Sequence, residues 1–300
     1  MRRVKRLFSF LRELAHGVRN SERNSLQNGK ILTLISNSRQ SNDLQDFEFS
    51  IFSQWGEDGI LQKLIDVTPI ANKTFIEFGV ENFLESNCRF LLMQNNWSGF
   101  VIDGSEKNTK QIANSTFYWK YDLRAFRGFI TSSNINELLS ESCFDEDLGI
   151  LSIDIDGVDY WVFKGLESHR PRILVLEYNA VFGSERAITV PDKPDFVRTN
   201  SHYSNLYFGA SLRALVDLAD EKGYTFVGTN TSGLNAFFIR KDVLTDQTRN
   251  FAASAKFTNS LFRESRSNSG DLTYLRGSSR HEEIQDLIVF NTHTSKSERL

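Results

Sequence analysis

The sequence predicts an α/β fold in which helices cover both faces of an open, mostly parallel, Rossmann-like sheet. Three observations predict it. Short apolar runs alternate with amphipathic stretches along most of the chain, the pattern of repeated β-α-β units. Several of those runs end abruptly in carboxylates, at Glu77, Asp103, Asp154 and Glu177. No Pro/Gly/Ser-rich linker divides the middle of the 300 residues, so one large domain with extensions fits better than two small ones. The divisions are an N-terminal extension over 1–47, a central domain over 48–245 and a polar C-terminal extension over 246–300.

Taken in order, residues 3–19 read as a basic amphipathic helix. Val4, Leu7, Phe8, Leu11, Leu14, Ala15 and Val18 recur at spacings of three and four. Such a helix docks on the body, on a second subunit, or on an anionic membrane surface. Residues 20–47 are Asn/Ser/Gln-rich and read as a connector with a short helix. Gln54 to Leu61 is a polar turn entering a helix. It is either a plain capped start or a loop that covers a ligand, with Gln54, Glu57 and Asp58 facing it. Thr74–Glu81 reads as a first strand, 85–92 as a helix and 99–105 as a second strand. Helix 105–114, a third strand over 125–131 (with 117–121 as a competitor) and helix 134–142 follow.

The run from Leu148 to Asp156 is the fourth strand, apolar enough to be covered on both faces, and it places Asp154, Asp156 and Asp159 within six residues. A fifth strand spans 172–179 and ends in Glu177, Tyr178 and Asn179. Residues 180–208 form a long loop carrying His202, the kind of loop that is functional or mobile. Helix 212–222 and a hairpin over 224–228 and 235–240 complete the domain. Residues 245–280 read as loose, with a last helix over 280–290.

Composition narrows the function. A net charge of −3 gives no nucleic-acid footprint. Residues 1–40 carry nine Lys/Arg against two Glu, which leaves the rest of the chain near −10. Cys88 and Cys143 lack a CxxC partner, which fits a reducing, cytoplasmic location, at most against the inner face of a membrane. The apolar stretch Leu7–Leu11 is too short for export, and no run approaches the length of a membrane span.

In an open α/β sheet, ligands gather outside the carboxyl ends of the strands. Gly79 lets the backbone approach a ligand, and Asp103 at the second strand tip can accept hydrogen bonds from ribose hydroxyls. The GxGxxG of dinucleotide sites is absent, which opposes an NAD-type oxidoreductase. Glu81 and Glu85 would repel a pyrophosphate, so a phosphate-free, cationic cofactor fits better, and S-adenosylmethionine is one. Asp154, Asp156, Glu177 and His202 are the candidate bases. His202 is either that or a solvated loop residue. On a regular strand Asp154 and Asp156 share a face and repel, which motivates a Mg²⁺ bound by both, with Glu177 as a further ligand. Alternatively, Asp154 binds cofactor while Asp156 and Asp159 cap the next helix.

Residues 50–242 resemble the FkbM-type methyltransferases, a branch of the class I S-adenosylmethionine-dependent group. The matching segments are the 54–59 turn, 75–87, 101–105, 151–165, 173–183, 207–215 and 233–240. The resemblance implies a seven-stranded sheet of order 3-2-1-4-5-7-6 with the seventh strand antiparallel. It implies that the strand-one turn around Glu77, Gly79 and Asn87 holds the methionine part of the cofactor, that Asp103 holds the ribose, and that the adenine lies near Ile130. Asp156 stands where many such proteins carry glutamate. The implied activity is O-methylation of a saccharide or related small-molecule or glycan hydroxyl, as in polysaccharide assembly. The alternative is a non-catalytic scaffold of the same fold.

Overall fold

The computed structural model of the protein describes residues 2–300, except for the side chains of residues 2–16, 18 and 19. In chain order the elements are α1 (Arg2–Ser38), α2 (Glu57–Val67), β1 (Thr74–Phe78), α3 (Arg89–Asn95), β2 (Ser98–Asp103), α4 (Glu106–Ala113), β3 (Leu123–Arg127), α5 (Ile135–Ser140) and β4 (Ile150–Ile153). Then come α6 (Asp159–Gly165), β5 (Ile173–Glu177), β6 (Ile188–Thr189), α7 (Arg198–Ser201), α8 (Leu212–Glu221), β7 (Tyr224–Thr229) and β8 (Asn235–Arg240). α9 (Asp246–Ser254), α10 (Ser278–Glu282), β9 (Ile288–Asn291) and β10 (Lys296–Arg299) close the chain.

The main sheet has seven strands in the order β3-β2-β1-β4-β5-β8-β7, and only β8 runs against its neighbours. Since β6 belongs elsewhere, this is the 3-2-1-4-5-7-6 order implied by the resemblance. Strand period 2 sorts the side chains into two cores. Ile76, Phe100, Leu151, Leu174 and Phe238 face α5, α6 and α8. Phe75, Val101, Ile150, Val175 and Phe237 face α2, α3, α4 and α9. The result is a three-layer Rossmann-like sandwich with a helical N-terminal extension.

Two extensions differ from expectation. The N-terminal helix does not stop near residue 19 but runs to Ser38, replacing the expected connector. Residues 20–38 lie on α2 and α3. Gly29 sits against Phe90, where a Cβ would come within 2.5 Å of the ring. Tertiary packing thus overrides a polar local composition. The apolar stripe Val4–Val18 lies outside the described side chains. No described helix is long and apolar enough to cross a membrane.

The C-terminal extension is ordered, not loose. The expected helix over 280–290 is a single short helix, α10, followed by a hairpin. β9 pairs with β10 and with β6, so residues of the long 180–208 loop and of the C-terminus share a second, three-stranded sheet. Between α9 and α10 the chain crosses the main sheet's carboxyl edge as a strap. It is held by Tyr178 Oη donating to the Thr258 carbonyl at 2.6 Å, and by the amides of Leu261 and Arg266 donating to the carbonyls of Ser232 and Ser204. A polar composition hid this order, because the bonds that fix the strap reach distant loops.

Smaller boundaries moved too. β3 ends at Arg127, so Ile130 lies in the loop beyond it, and α3 begins at Arg89 instead of near 85.

Arg89 ties α1 to the body. It pairs with Glu22 at 3.2 Å, donates to the Phe83 and Leu84 carbonyls, and lies 4.3 and 4.7 Å from the ring centres of Phe52 and Phe117. Arg89→Ala leaves two carbonyls and Glu22 without their donor and vacates the gap between two rings. It should lower unfolding free energy by about 3 kcal/mol in urea denaturation, against about 1 kcal/mol for Glu22→Gln.

Candidate active site

The carboxyl ends of β2, β1, β4 and β5 lie side by side, with Asp103, Glu77, Asp154 and Glu177 at or just past their tips. Gly79 fixes the centre. Its φ is +72°, and a Cβ there would sit 1.6 Å from the Asp154 carbonyl oxygen. Only glycine lets the ends of β1 and β4 come this close.

Many carboxylates at this edge are satisfied by the chain itself. Asp58 Oδ2 accepts the amides of Ile51, Phe52 and Ser53 at 2.6, 2.7 and 2.8 Å. It lines neither cavity described below, which corrects the expectation that it faces a ligand. Glu57 Oε1 accepts from the side-chain amides of Asn230 and Asn235, and Oε2 from the Trp55 amide. Glu77 accepts from Ser86 Oγ and from the amides of Asn87 and Cys88. Capture of these amides explains why α3 starts late. Glu77 therefore shapes the turn that borders the smaller cavity described below, with both its oxygens already bonded. Asp159 accepts the amides of Ile155 and Gly157 in the turn before α6, which corrects the expectation that it caps that helix: the cap position is Val158 and makes no side-chain bond. Burial pushes Asp58 and Asp159 up to about 6 and Glu77 up to about 7, with the amide bonds opposing.

Asp154 and Glu177 are different. Glu177 is buried, Asp154 is half-buried, and their carboxyls lie within hydrogen-bonding reach. Glu177 Oε2 has no hydrogen-bond partner among the described residues. Burial first, then the nearby carboxylates, pushes both groups well above the ordinary carboxylate range. Two carboxyls so placed disfavour ionising together, and they titrate as a pair.

Asp156 is not a third member. The strand ends at Ile153, and Asp156 has φ +54°, so the alternation that would put it beside Asp154 does not apply. It turns instead to Arg198. Among the described residues no group of three His, Cys, Asp or Glu side chains is arranged around a metal ion. The Asp154–Asp156 metal pair is thus corrected on geometry: one carboxyl belongs to Glu177, the other to an arginine.

Two adjoining cavities line the edge. The larger, about 840 Å³, is bounded by Ile102, Asp103, Phe129, Ile130, Val158 and Asn268 among others. The smaller, about 270 Å³, is bounded by Gln54, Trp55, Glu57, Glu77, Asn87, Glu177, Asn179, Asn235 and Phe262 among others. Gly79, Glu81, Asp154, Asp156, Arg198 and Glu264 border both. Asp103 Oδ1 accepts from the Ser105 amide and Asn108 Nδ2, and Oδ2 has no bond among the described residues. Asn87 donates to Ser152 Oγ, and Gln54 donates to Glu85 at 2.6 Å. His202 borders neither cavity. Its Nδ1 meets Ser204 Oγ at 2.7 Å and its ring stacks on Tyr203, which corrects its candidacy as a base.

Three site residues escaped sequence inspection. Arg198 sits 4.0 Å from the Phe208 ring centre and reaches Asp156 and Glu264. Glu264 and Arg280 come from the strap and α10. A signal existed only for Arg198: a cation in a long loop, opposite acidic strand tips.

No protein-family model matches the sequence, and no curated protein matches it. Solved structures do. The CurJ carbon methyltransferase is 11% identical over 61% of this chain, with a TM-score of 0.37. An O-methyltransferase family protein from Burkholderia thailandensis is 9% identical over 76% of this chain, with a TM-score of 0.36. An S-adenosylmethionine-dependent methyltransferase from Clostridium acetobutylicum is 10% identical over 61%, with a TM-score of 0.38. The matches span 52%, 60% and 90% of those chains respectively. Likenesses this distant carry no argument about activity, and the sheet order rests on the strand pairing itself.

Glu77 yields a pH test. Its raised value means that its contribution to stability is complete below the unfolded value near 4.5 and is lost as pH rises through about 7. Glu77→Gln cannot ionise. The stability of the native protein relative to this variant should therefore fall by about 3 kcal/mol between about pH 4 and pH 8 in urea titrations. A rise over that interval contradicts the assignment.

Proposed function

We propose that this chain is an S-adenosylmethionine-dependent O-methyltransferase whose acceptor is a hydroxyl of a saccharide or related small molecule. The observation that carries the proposal is the convergence of Gly79, Asp103 and Asp154 from three strands on two adjoining cavities at one sheet edge. The residues present fit the donor. In the larger cavity the unbonded Asp103 Oδ2 can accept from ribose hydroxyls, and Ile102, Phe129 and Ile130 offer an apolar bed for a base. Glycine at 79 lets β1 and β4 close together at the junction, where Glu81 favours a cation, as Glu85 does in the smaller cavity.

When bound, the donor supplies a methyl group on a cationic sulfur, open to direct displacement by the acceptor oxygen. The chain then has two tasks, to align that oxygen and to receive its proton. The Asp154–Glu177 pair is placed for the second. Its high proton affinity makes it a stronger base than an isolated carboxylate once ionised. A hydroxyl-rich acceptor is supported by Glu177 Oε2 and Asn235 Oδ1, two buried oxygens without a bonding partner among the described residues. Both border the smaller cavity, where partly exposed Trp55, edge-on to Phe262, offers a ring face.

Calorimetry with S-adenosylhomocysteine tests donor binding. Asp103→Ala should weaken it by about 1.5–3 kcal/mol, the worth of a charge-assisted hydrogen bond. No binding by the intact protein at roughly millimolar ligand, far weaker than enzyme–ligand affinities, would sink the proposal. Glu177→Gln should keep donor affinity within about threefold yet lower transfer of labelled methyl to a cell-extract glycan fraction by about a hundredfold or more. Donor binding with no transfer by the intact protein would mark a scaffold instead.

A further inference from the structure

Among the described residues that line the two cavities, Arg280 is the one cation without a carboxylate partner. Arg198 reaches Asp156 and Glu264, and Arg266 reaches Glu264. Arg280 is 8% exposed, and its Nη1 donates to the Phe262 carbonyl at 2.9 Å. Its Nε is buried with no partner, and no bond from Nη2 is found among the described residues. Nε and Nη2 form one edge of the planar guanidinium, and that edge matches two oxygens of a carboxylate or phosphate group.

Burial, then the neighbouring Arg198 charge, works against this guanidinium. A side chain so placed gains from an anion, and no carboxylate among the described residues supplies one. Its place along the sheet says which ligand. Arg280 borders the smaller cavity, with Glu177, Asn179, Ala180 and Phe208 of the β5 side, and does not border the cavity of Asp103. From β2 to β5 is three strand spacings, about 14 Å. α10 holds the residue there, with His281 Nδ1 against the Val181 carbonyl at 3.3 Å.

We propose that the acceptor is anionic and that the free Nε–Nη2 edge of Arg280 seats its carboxylate or phosphate group, making Arg280 a specificity-determining residue. The inference rests on the methyl-transfer assignment of this edge. Asp154 and Glu177 oppose such an anion less than two isolated carboxylates would, because burial and their mutual repulsion favour the protonated form. Glu264 is neutralised by its arginines.

The test is calorimetry on the full chain saturated with S-adenosylhomocysteine, titrated with D-glucuronate, D-glucose 6-phosphate and D-glucose. At least one anionic sugar should bind about tenfold or more tighter than glucose, and the two anions distinguish a carboxylate from a phosphate acceptor. Arg280→Gln should bring the three sugars within about twofold, and Arg280→Lys should restore only part of the preference, since an ammonium cannot form the fork. Both variants should hold S-adenosylhomocysteine within about twofold of the native affinity, which also reports that they fold.

Equal or absent binding of all three sugars by protein that binds S-adenosylhomocysteine overturns the inference and leaves the methyl-transfer assignment standing. A matching loss of S-adenosylhomocysteine affinity in Arg280→Gln also overturns it, because the fork then belongs to the donor's own carboxylate. Failure of the native chain to bind S-adenosylhomocysteine rejects both.

Discussion

The close approach of Gly79 to the Asp154 carbonyl is the constraint on which this site depends. It closes the gap between β1 and β4 and crowds carboxylates from neighbouring strands into one low-dielectric edge. Charges so placed must be solvated by the protein. Asp58, Glu77 and Asp159 obtain that from backbone amides, Glu57 from two asparagines, and Asp156 from Arg198. Asp154 and Glu177 obtain it from each other, which is possible only if one of them keeps a proton. The Asp154–Glu177 pair is thus what remains after the other acids have been matched to donors.

The strap that crosses this edge turns an open cleft into two bounded cavities. It is tied to the sheet through Tyr178, itself at the end of β5, and to the N-terminal side through Gln45, which donates to Thr258 Oγ1. Its residues supply Ser260, Phe262, Glu264 and Arg266 to the lining. Through Glu264 it also holds Arg198 over the strand tips, so strap, long loop and sheet edge share one charge network. A change in the strap is therefore transmitted to Asp156 without any contact between them.

Much of this edge was legible in the sequence because the relevant signal is local. An apolar run that stops at an acid marks both the strand and its tip, and Asp103, Asp154 and Glu177 were all found this way. The strand order was legible only through family resemblance, since strand pairing leaves no local trace. Asp58 and His202 were misread because an acid or imidazole in a turn looks the same whether it faces a ligand or its own backbone. Asp156 was misplaced because period-2 alternation was extended past the last paired residue, Ile153. Arg280 was invisible: its neighbours Asn179 and Glu177 lie about a hundred residues away, and the segment around it is polar enough to read as unfolded.

A coupled carboxyl pair, in place of a lone carboxylate, has a consequence for the proposed methyl transfer to a hydroxyl. While a cation occupies the junction beside Asp154, its field lowers the proton affinity of the Asp154–Glu177 pair and favours the ionised form that can act as base. Once that positive charge is gone, the field is gone with it, and the pair's affinity rises. The pair therefore takes up a proton as the neighbouring charge disappears, and the charge within the two cavities stays nearly constant. Constancy matters because the surroundings are already committed: the amides on Glu77 and Asp159 and the arginine on Asp156 cannot be redirected in response to a new charge. An edge whose dipoles are fixed works best when the step it assists leaves its total charge unchanged.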